Sequence, residues 1–295
     1  MDLSGFISYL TREKQASDNT VTAYVQDVRG FARYLGPQTS LVEANKTDVL
    51  AYMMQLGKEG KSRATQSRRL ASLRAFYRYG EKVGHIRQDP TEGIKGPGRE
   101  VRELVYLRPE EIEKLLAQLD DTVKGKRDRA ILEILYGTGI RSLELIDMNL
   151  ADADLRIGFV TCSNKHGRPR IIPLGSYARH ALQTYLTEAR PVLLHKQSPL
   201  PPAESPLFVN YRGERMSRQG LWKLLRAYGK KAGLDVEIGP GILRTSFAVH
   251  MTMNGADMKT LQELLGYDNL QAMETLLGIR KNRIKDVYDK TFPRA

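Results

Sequence analysis

Apolar residues in the first hundred positions recur at helical spacing and predict helices only. In the first segment they are Leu3, Phe6, Ile7 and Leu10. Ser17–Asn19 offers N-cap residues for a second helix, and Gly36-Pro37 ends it. A third helix follows, with apolar residues Val49, Leu50, Met53 and Met54. A fourth runs from about Ser62 to Tyr79, so the pattern predicts a four-helix N-terminal domain.

The rest of the chain is also mainly helical, with one clear β signal. Residues 156–161 alternate the side chains Ile157, Phe159 and Thr161, and residues 163–167 read as a turn. Residues 168–173 return with Ile171-Ile172. From Gly239 onward, apolar residues at helical spacing predict a series of short helices. The fold class is therefore mainly α (α+β), with a small antiparallel β-sheet in the second half.

A Pro/Gly-rich stretch from Asp89 to Gly98, followed by a charged run, predicts an interdomain linker. With 295 residues, the chain is long enough for two apolar cores. We predict an N-terminal helical domain at 1–88, a linker at 89–106 and a C-terminal domain at 107–295.

The charge balance favours a polyanionic partner. The formal net charge is +12, and basic residues cluster between Lys58 and Lys82. Such clustering is typical of nucleic-acid-binding surfaces, although a solvated basic face gives the same composition. The predicted DNA-binding residues are Lys61, Arg63, Arg68, Arg69, Arg74 and Arg78.

Composition argues against several other classes of protein. The single cysteine, Cys162, excludes an intrachain disulfide framework, and the five histidines are scattered without metal-ligand spacing. No apolar run approaches the ~20 residues of a membrane span, and the N-terminus does not read as a signal peptide. We therefore expect a cytoplasmic protein with no metal site, no cofactor and no membrane partner.

Several motifs resemble the tyrosine recombinases, the integrase family, especially the Xer type. A Gly137-Thr138-Gly139 turn precedes Arg141 and Glu144, and residues 17–31 and 67–97 match the family's N-terminal wording. The C-terminal frame keeps Pro240, Leu243-Arg244, Ser246-Phe247-Ala248, His250, Asn254-Gly255-Ala256-Asp257 and Leu265-Gly266. The resemblance covers nearly the whole chain. It implies a SAM-like DNA-binding domain followed by a recombinase catalytic-type domain.

The resemblance also implies chemistry at named positions. In the family a tyrosine attacks the scissile phosphate of double-stranded DNA, without metal or nucleotide, and forms a 3′-phosphotyrosine. Two arginines stabilise the developing charge, and their positions here are Arg141 and Arg244. A lysine on a β-hairpin protonates the departing 5′ oxygen, and Lys165 matches it.

Three chemical positions depart from the family pattern. Gly241 stands at a histidine position, Tyr267 at a histidine or tryptophan position, and Leu276 at the nucleophilic tyrosine. Leucine carries no nucleophilic atom. These departures predict a pseudoenzyme: a DNA-binding protein that cannot cleave DNA and that acts as an architectural or regulatory factor. Arg141, Lys165 and Arg244 would then only bind phosphate.

Two other interpretations remain open. The chain is an active site-specific recombinase if a displaced nucleophile such as Tyr267 or Tyr288, or a partner subunit, supplies the attacking group. It is a protein-interaction module if the basic surface is incidental, but the retained arginines and lysine argue against this. The C-terminal tail resembles the segment that docks onto a neighbouring subunit in the family. A homo-oligomer or an active recombinase partner is therefore expected.

Overall fold

The computed structural model describes residues 3–98, 104–163, 169–194 and 200–277, except the side chains of Ala272, Glu274 and Thr275. The chain divides into two compact units, Met1–Arg102 and Glu103–Ala295. The predicted linker spans this division, and five of its residues, 99–103, lie outside the described part. The bounds proposed for the linker and for the domains on either side stay predictions.

Four α-helices form the first unit. Helix α1 (Leu3–Ser8) continues into a π-helical turn (Tyr9–Glu13), and α2 (Asp18–Leu35), α3 (Lys46–Lys58) and α4 (Arg63–Lys82) follow. The predicted four-helix arrangement is confirmed.

Polar side chains fix where three of these helices begin. The Ser17 hydroxyl accepts the Thr20 backbone N–H at the start of α2, and Ser62 accepts that of Thr65 at the start of α4. At α3, the Asn45 side chain accepts the Asp48 backbone N–H, and the Asp48 carboxylate accepts that of Asn45. These caps satisfy amides that no helical carbonyl can reach.

The first core is built from the apolar faces of the four helices. Its fully buried members include Phe6, Val28, Phe31, Leu73 and Phe76. The four apolar residues named for α3 do not all face the core. Val49 is buried, but Leu50 is 43% exposed and Met54 is 66% exposed, because the inward face continues through Tyr52 and Leu56.

The second unit is mostly helical. Its described helices are α5 (Pro109–Leu116), α6 (Val123–Thr138), α7 (Ser142–Asp147), α8 (Ser176–Thr184), a π-helical turn (Tyr185–Ala189), α9 (Arg190–Leu194), α10 (Arg218–Lys231), α11 (Pro240–Met253), α12 (Met258–Leu265) and α13 (Leu270–Leu276), with a 3-10 turn at Leu150–Asp152. Helix α6 is buried along most of its length and packs against α8 and α11. The series of short helices predicted after Gly239 is confirmed.

A three-stranded antiparallel sheet completes the second unit. Strands β1 (Ala153–Asp154), β2 (Phe159–Cys162) and β3 (Arg170–Pro173) are paired in that order. No pattern of apolar residues predicted β1. Among the described residues, no helix has the length and apolar character needed to cross a membrane.

The alternating residues from which the hairpin was predicted lie on its more exposed side. Val160, Cys162 and Ile172 are buried, whereas Ile157 is 60% exposed and Ile171 is 64% exposed. Both faces of the hairpin are apolar, so packing against the rest of the unit selects the buried face.

A second apolar cluster of this unit joins α11, α12 and α13. Ala248, Leu261, Leu265 and Met273 are its fully buried members, and Phe247 is also buried. This cluster fixes the end of α12 against the turn that follows α6. Those two segments border the candidate site.

Candidate active site

The turn after α6 depends on glycine. Gly139 has φ +59°, and a Cβ atom there would lie 2.5 Å from Phe247 Cδ1 and 2.7 Å from Leu265 Cδ2. Both the left-handed backbone and the close approach exclude larger residues. The turn therefore packs directly on α11 and the end of α12, and it directs the chain into Arg141.

Arg141 precedes α7 and is held by two groups. Its Nη1 donates to Glu144 Oε1 at 3.0 Å, and its backbone N–H donates to Glu144 Oε2 at 2.9 Å. Its Nη2 donates to the carbonyl of Gly266 at 2.5 Å. The side chain is 35% exposed, so one side of the guanidinium is anchored while another part reaches solvent.

Arg244 lies in α11 and is only 7% exposed. Its Nη1 donates to the carbonyl of Gly139 at 2.6 Å, and its Nη2 donates to that of Leu265 at 2.7 Å. Burial lowers the pKa of Arg244 and outweighs the neighbouring Tyr267, which raises that pKa. Arg141 and Arg244 are 103 positions apart in sequence (244 minus 141), yet they donate to adjacent carbonyls, those of Gly266 and Leu265.

The carboxylate of Glu144 organises the region. It accepts two bonds from Arg141 and two from Arg170, whose Nη1 and Nη2 lie 2.7 and 2.8 Å from its oxygens. Burial raises the pKa of Glu144. The hydrogen bonds from Arg170 and Arg141, with their charges, outweigh burial and hold that pKa at about 2. Glu144 is therefore ionised at neutral pH.

Tyr267 covers both arginines. Its ring centroid lies 4.8 Å from the Arg244 Cζ and 5.4 Å from the Arg141 Cζ. These are cation–π distances, so the ring stabilises the two guanidinium groups beside it. The residue at this family position thus brings a phenol to the arginine pair.

An open cavity of about 360 Å³ adjoins the arginines. It is lined in part by Arg141, Glu144, Arg218, Gly241 and Arg244. A Cβ atom on Gly241 would have no heavy atom within 4 Å. The space that a histidine would take at this position is therefore open.

Leu276 does not supply chemistry. It is the last residue of α13, and its side chain packs partly buried on the apolar cluster of α11 and α12. Lys165, Tyr288 and the C-terminal tail lie outside the described residues, and their predicted roles stay predictions. Within the described residues, no group of three or more His, Cys, Asp or Glu side chains could hold a metal ion.

Family comparison matches both units. The model of the phage integrase family matches residues 105–276, and that of the phage integrase N-terminal SAM-like domain matches residues 3–83. The chain is 36% identical to tyrosine recombinase XerD of Oceanobacillus iheyensis, over 99% of this chain and 98% of that one. It is 38% identical to tyrosine recombinase XerC of Pelotomaculum thermopropionicum, again over 99% and 98%. The chain belongs to the phage integrase family of tyrosine recombinases.

Solved structures share the fold of this tyrosine recombinase. The Tn1549 transposon integrase, in complex with transposon right end DNA, has a TM-score of 0.78 and 19% identity over 99% of each chain. The XerH site-specific recombinase, bound to palindromic difH substrate in a post-cleavage complex, has a TM-score of 0.75 and 22% identity. That match covers 97% of this chain and 84% of the other. The predicted Xer-type family and fold class are confirmed.

The prediction of an inactive pseudoenzyme is wrong. Relatives 36% and 38% identical over almost their whole length are named tyrosine recombinases, which are enzymes. Nothing in the structure shows that this recombinase is inactive. The prediction relied on three single positions, whereas the similarity to these relatives covers almost the whole chain.

The six basic residues predicted to bind DNA have different surroundings in the first unit. Arg68 pairs with Asp27, which also accepts from Ser72, and Arg69 donates to the Tyr52 hydroxyl at 2.7 Å. Arg74 donates to the Ile94 carbonyl, and Lys61 lies 4.0 Å from Glu59.

Arg63 and Arg78 are exposed. They have no hydrogen bond or ion pair among the described residues. Whether any of the six residues binds DNA stays a prediction.

The sequence interpretation missed Arg170. Strand pairing places Arg170 opposite Cys162, and it lies on the same face as the buried Ile172. A charged residue in register with core positions needs a buried partner. The charged Arg170 on the buried face of the hairpin could therefore have indicated a buried ion pair. Its partner, Glu144, was not apparent, because the two lie 26 positions apart in different elements.

Proposed function

We propose that this chain is an active, Xer-type site-specific recombinase that breaks and rejoins double-stranded DNA, with Tyr267 as the nucleophile. The observation that carries the proposal is the placement of the Tyr267 ring over Arg141 and Arg244, two residues that line an open cavity. Membership of the tyrosine recombinases supports it, as do relatives of high coverage that are named recombinases.

The arginine pair is suited to a phosphodiester. The cavity lining contributes three arginines and one carboxylate, and that carboxylate is already saturated by Arg141 and Arg170. The anchoring bonds to backbone carbonyls fix the guanidinium groups before any substrate binds. Preorganised donors stabilise the charge that develops on the non-bridging oxygens during phosphoryl transfer.

The proposed reaction uses two residues of this chain and water. The phenolic oxygen of Tyr267 attacks phosphorus and forms a phosphotyrosine bond at the 3′ end, and its proton passes to water. The bond from phosphorus to the 5′ oxygen breaks, and that oxygen takes a proton from the Lys165 ammonium group. Attack by a 5′ hydroxyl on the phosphotyrosine reverses these changes and rejoins a strand.

The first unit is proposed to grip duplex DNA. The outward cations of α4 include Arg63, Arg78 and Arg68, whose side chain is 44% exposed. A shallow cleft between α2 and α4 adds Arg29 and Arg33. Cations placed in this way neutralise backbone phosphates without reading base sequence.

Assembly on DNA is part of the proposal. A lambda integrase structure of the same fold is a dimer bound to a core site, with 18% identity and a TM-score of 0.71. We propose that this chain also acts as an oligomer on DNA, either with itself or with a partner recombinase, through its C-terminal tail.

The decisive experiment is covalent trapping. Nicked suicide duplexes from a randomised pool are incubated with the protein, alone and with an active Xer-type relative. Denaturing gels then report covalent adducts, and peptide mapping locates them. We expect a denaturant-stable adduct on Tyr267 that is lost in Tyr267→Phe. The control is Tyr177→Phe, because Tyr177 is 80% exposed and, unlike Tyr267, has no ring contact with Arg141 or Arg244 among the described residues.

The other outcomes separate the parts of the proposal. An adduct that maps to Tyr288 and disappears in Tyr288→Phe would keep the recombinase function and overturn the assignment of Tyr267. An adduct on the relative's tyrosine alone would assign the nucleophile to a partner subunit. Absence of any adduct in both mixtures, despite a native gel shift, would overturn the proposed strand breakage.

A further inference from the structure

Arg170 connects three separate segments around the site. It begins β3, and its side chain is only 11% exposed. It forms a bidentate pair with Glu144, and its Nε donates to the Leu264 carbonyl at 2.8 Å. It does not line the cavity itself. Any effect of Arg170 on a bound phosphate must therefore pass through its neighbours.

Glu144 is the first of these neighbours. An ionised carboxylate has about four lone-pair sites, and four donors fill them here. Two donors belong to Arg170, and the others are the backbone N–H and the Nη1 of Arg141. Without Arg170, half of these sites lose their donors, and the orientation of the Glu144 carboxylate is no longer fixed. The Arg141 guanidinium loses its support as a result.

The end of α12 is the second neighbour. Three successive carbonyls there accept hydrogen bonds from three arginines: Leu264 from Arg170, Leu265 from Arg244 and Gly266 from Arg141. The negative end of a helix dipole favours cations at this place. Because the three acceptors belong to consecutive residues, a shift of the backbone at one of them moves the others.

We propose that Arg170 is a positioning residue that holds the Arg141–Arg244 pair in the geometry that binds phosphate. It acts through Glu144 and through the Leu264–Gly266 segment. The inference rests on the proposed function only in taking duplex DNA as the source of the phosphate. It assigns no contact between Arg170 and DNA.

The test uses the salt dependence of duplex binding. Each neutralised phosphate contributes about 0.9 to the slope of log K against log salt. Arg141→Ala should lower that slope by about 0.9. Arg170→Met should lower it by a similar amount, although the residue is buried. The double variant Arg141→Ala/Arg170→Met should show little further decrease, because both changes disable the same contact.

A matched control separates positioning from loss of stability. Arg190 is 7% exposed and donates to the carbonyls of Leu207 and Pro206 and to the Ser205 hydroxyl, and it does not line the cavity. Arg190→Met should lower Tm yet leave the salt slope unchanged. Arg170→Lys keeps the charge but cannot form the planar, bidentate pair of hydrogen bonds to Glu144. It should recover only part of the slope.

The results discriminate between two failures. If Arg141→Ala leaves the slope unchanged, the phosphate site in the proposed function is wrong. If Arg141→Ala lowers the slope while Arg170→Met changes only Tm, the positioning role of Arg170 is overturned. Full additivity in the double variant overturns it as well. Should Arg170→Met not fold, the comparison of Arg170→Lys with Arg190→Lys decides by the same criterion.

Discussion

The two units contain arginines in contrasting settings. In the second unit, Arg141 and Arg244 are anchored on backbone carbonyls and border an open cavity. In the first unit, Arg68 and Arg69 surround Asp27, whose side chain is 4% exposed, and Arg74 is bound to a backbone carbonyl. The first pair borders open space, while several arginines of the first unit are bound to groups of the protein itself.

This difference shows what sequence clustering measures. A run of arginines raises the local positive charge, but a buried carboxylate such as Asp27 must be paired and takes part of that charge. Arginines distant in sequence give no such run, yet Arg141 and Arg244 converge because Gly139 and α12 bring them together. Contacts within the fold, not density along the chain, therefore decide which arginines lie together and which are already paired.

The largest expected effect is at Arg141. Arg141→Ala should reduce the single-turnover rate of adduct formation about 10²–10³-fold, because one donor to the transition state is lost. Arg78→Ala, in the first unit, should weaken binding but leave the rate at saturating DNA unchanged. Quenched suicide-duplex assays measure both. Equal rates in the two variants would remove the distinction between the arginine sets.

The next effect is a gain at Gly241. Gly241→His places an imidazole in open space beside the arginine pair and should raise the rate of adduct formation about 10²-fold, the lower range for general acid–base assistance. Gly241→Leu fills the same space without a proton-transfer group. A comparable rise in both variants would trace the gain to packing and contradict the proposed chemistry.

A third effect concerns pH and Glu144. Its folded-state pKa of about 2 lies below the ordinary value of 4.5, so the stabilisation is complete above pH 4.5 and is lost as pH falls toward 2. Between pH 5.5 and pH 3, the wild type should lose about 2 kcal/mol of unfolding free energy more than Glu144→Gln. Urea unfolding at the two pH values measures this difference. Parallel losses in both proteins would show that Glu144 is not held ionised.

The smallest effects are expected within the first unit. Arg63→Ala and Arg78→Ala should each lower the salt slope of duplex binding by about 0.9, because these exposed side chains are free to reach phosphates. Arg74→Ala should lower Tm without changing the slope, since its guanidinium is bound to the Ile94 carbonyl. Equal slopes for all three variants would indicate that internal contacts do not decide DNA binding.

Much of the fold follows from the pattern of apolar residues. The helices of the first unit were predicted because period and cap residues agree, as at Ser17 and α2. The buried face of the hairpin was not, because Phe159 and Val160 are both apolar and leave no polar face to read. The outward positions of Leu50 and Met54 were missed for a similar reason: tertiary packing selects among several apolar residues.

Only the side chains of the candidate site could be predicted from the sequence, not the backbone groups that anchor them. Arg141, Arg244 and Tyr267 were recognised from motifs, and the structure brings them together. Their anchors were not recognised, because the carbonyls of Gly139 and Leu265 leave no signature in the residue types. The inference of inactivity failed for a related reason. A motif records expected side chains at single positions, whereas the relatives that match over almost the whole chain are named tyrosine recombinases.

The three carbonyls at the end of α12 bear on how this site tolerates mutation. Main-chain oxygens are present whatever side chain a residue carries, so replacing Leu264 or Leu265 changes packing without deleting an arginine acceptor. The sensitivity concentrates at Gly266, with φ +64°, where a Cβ atom would lie 2.8 Å from Arg170 Nη1. Most residues at this helix end can thus be substituted while the carbonyls that accept from the arginines remain in place. Substitution of Gly266 is expected to be the least tolerated.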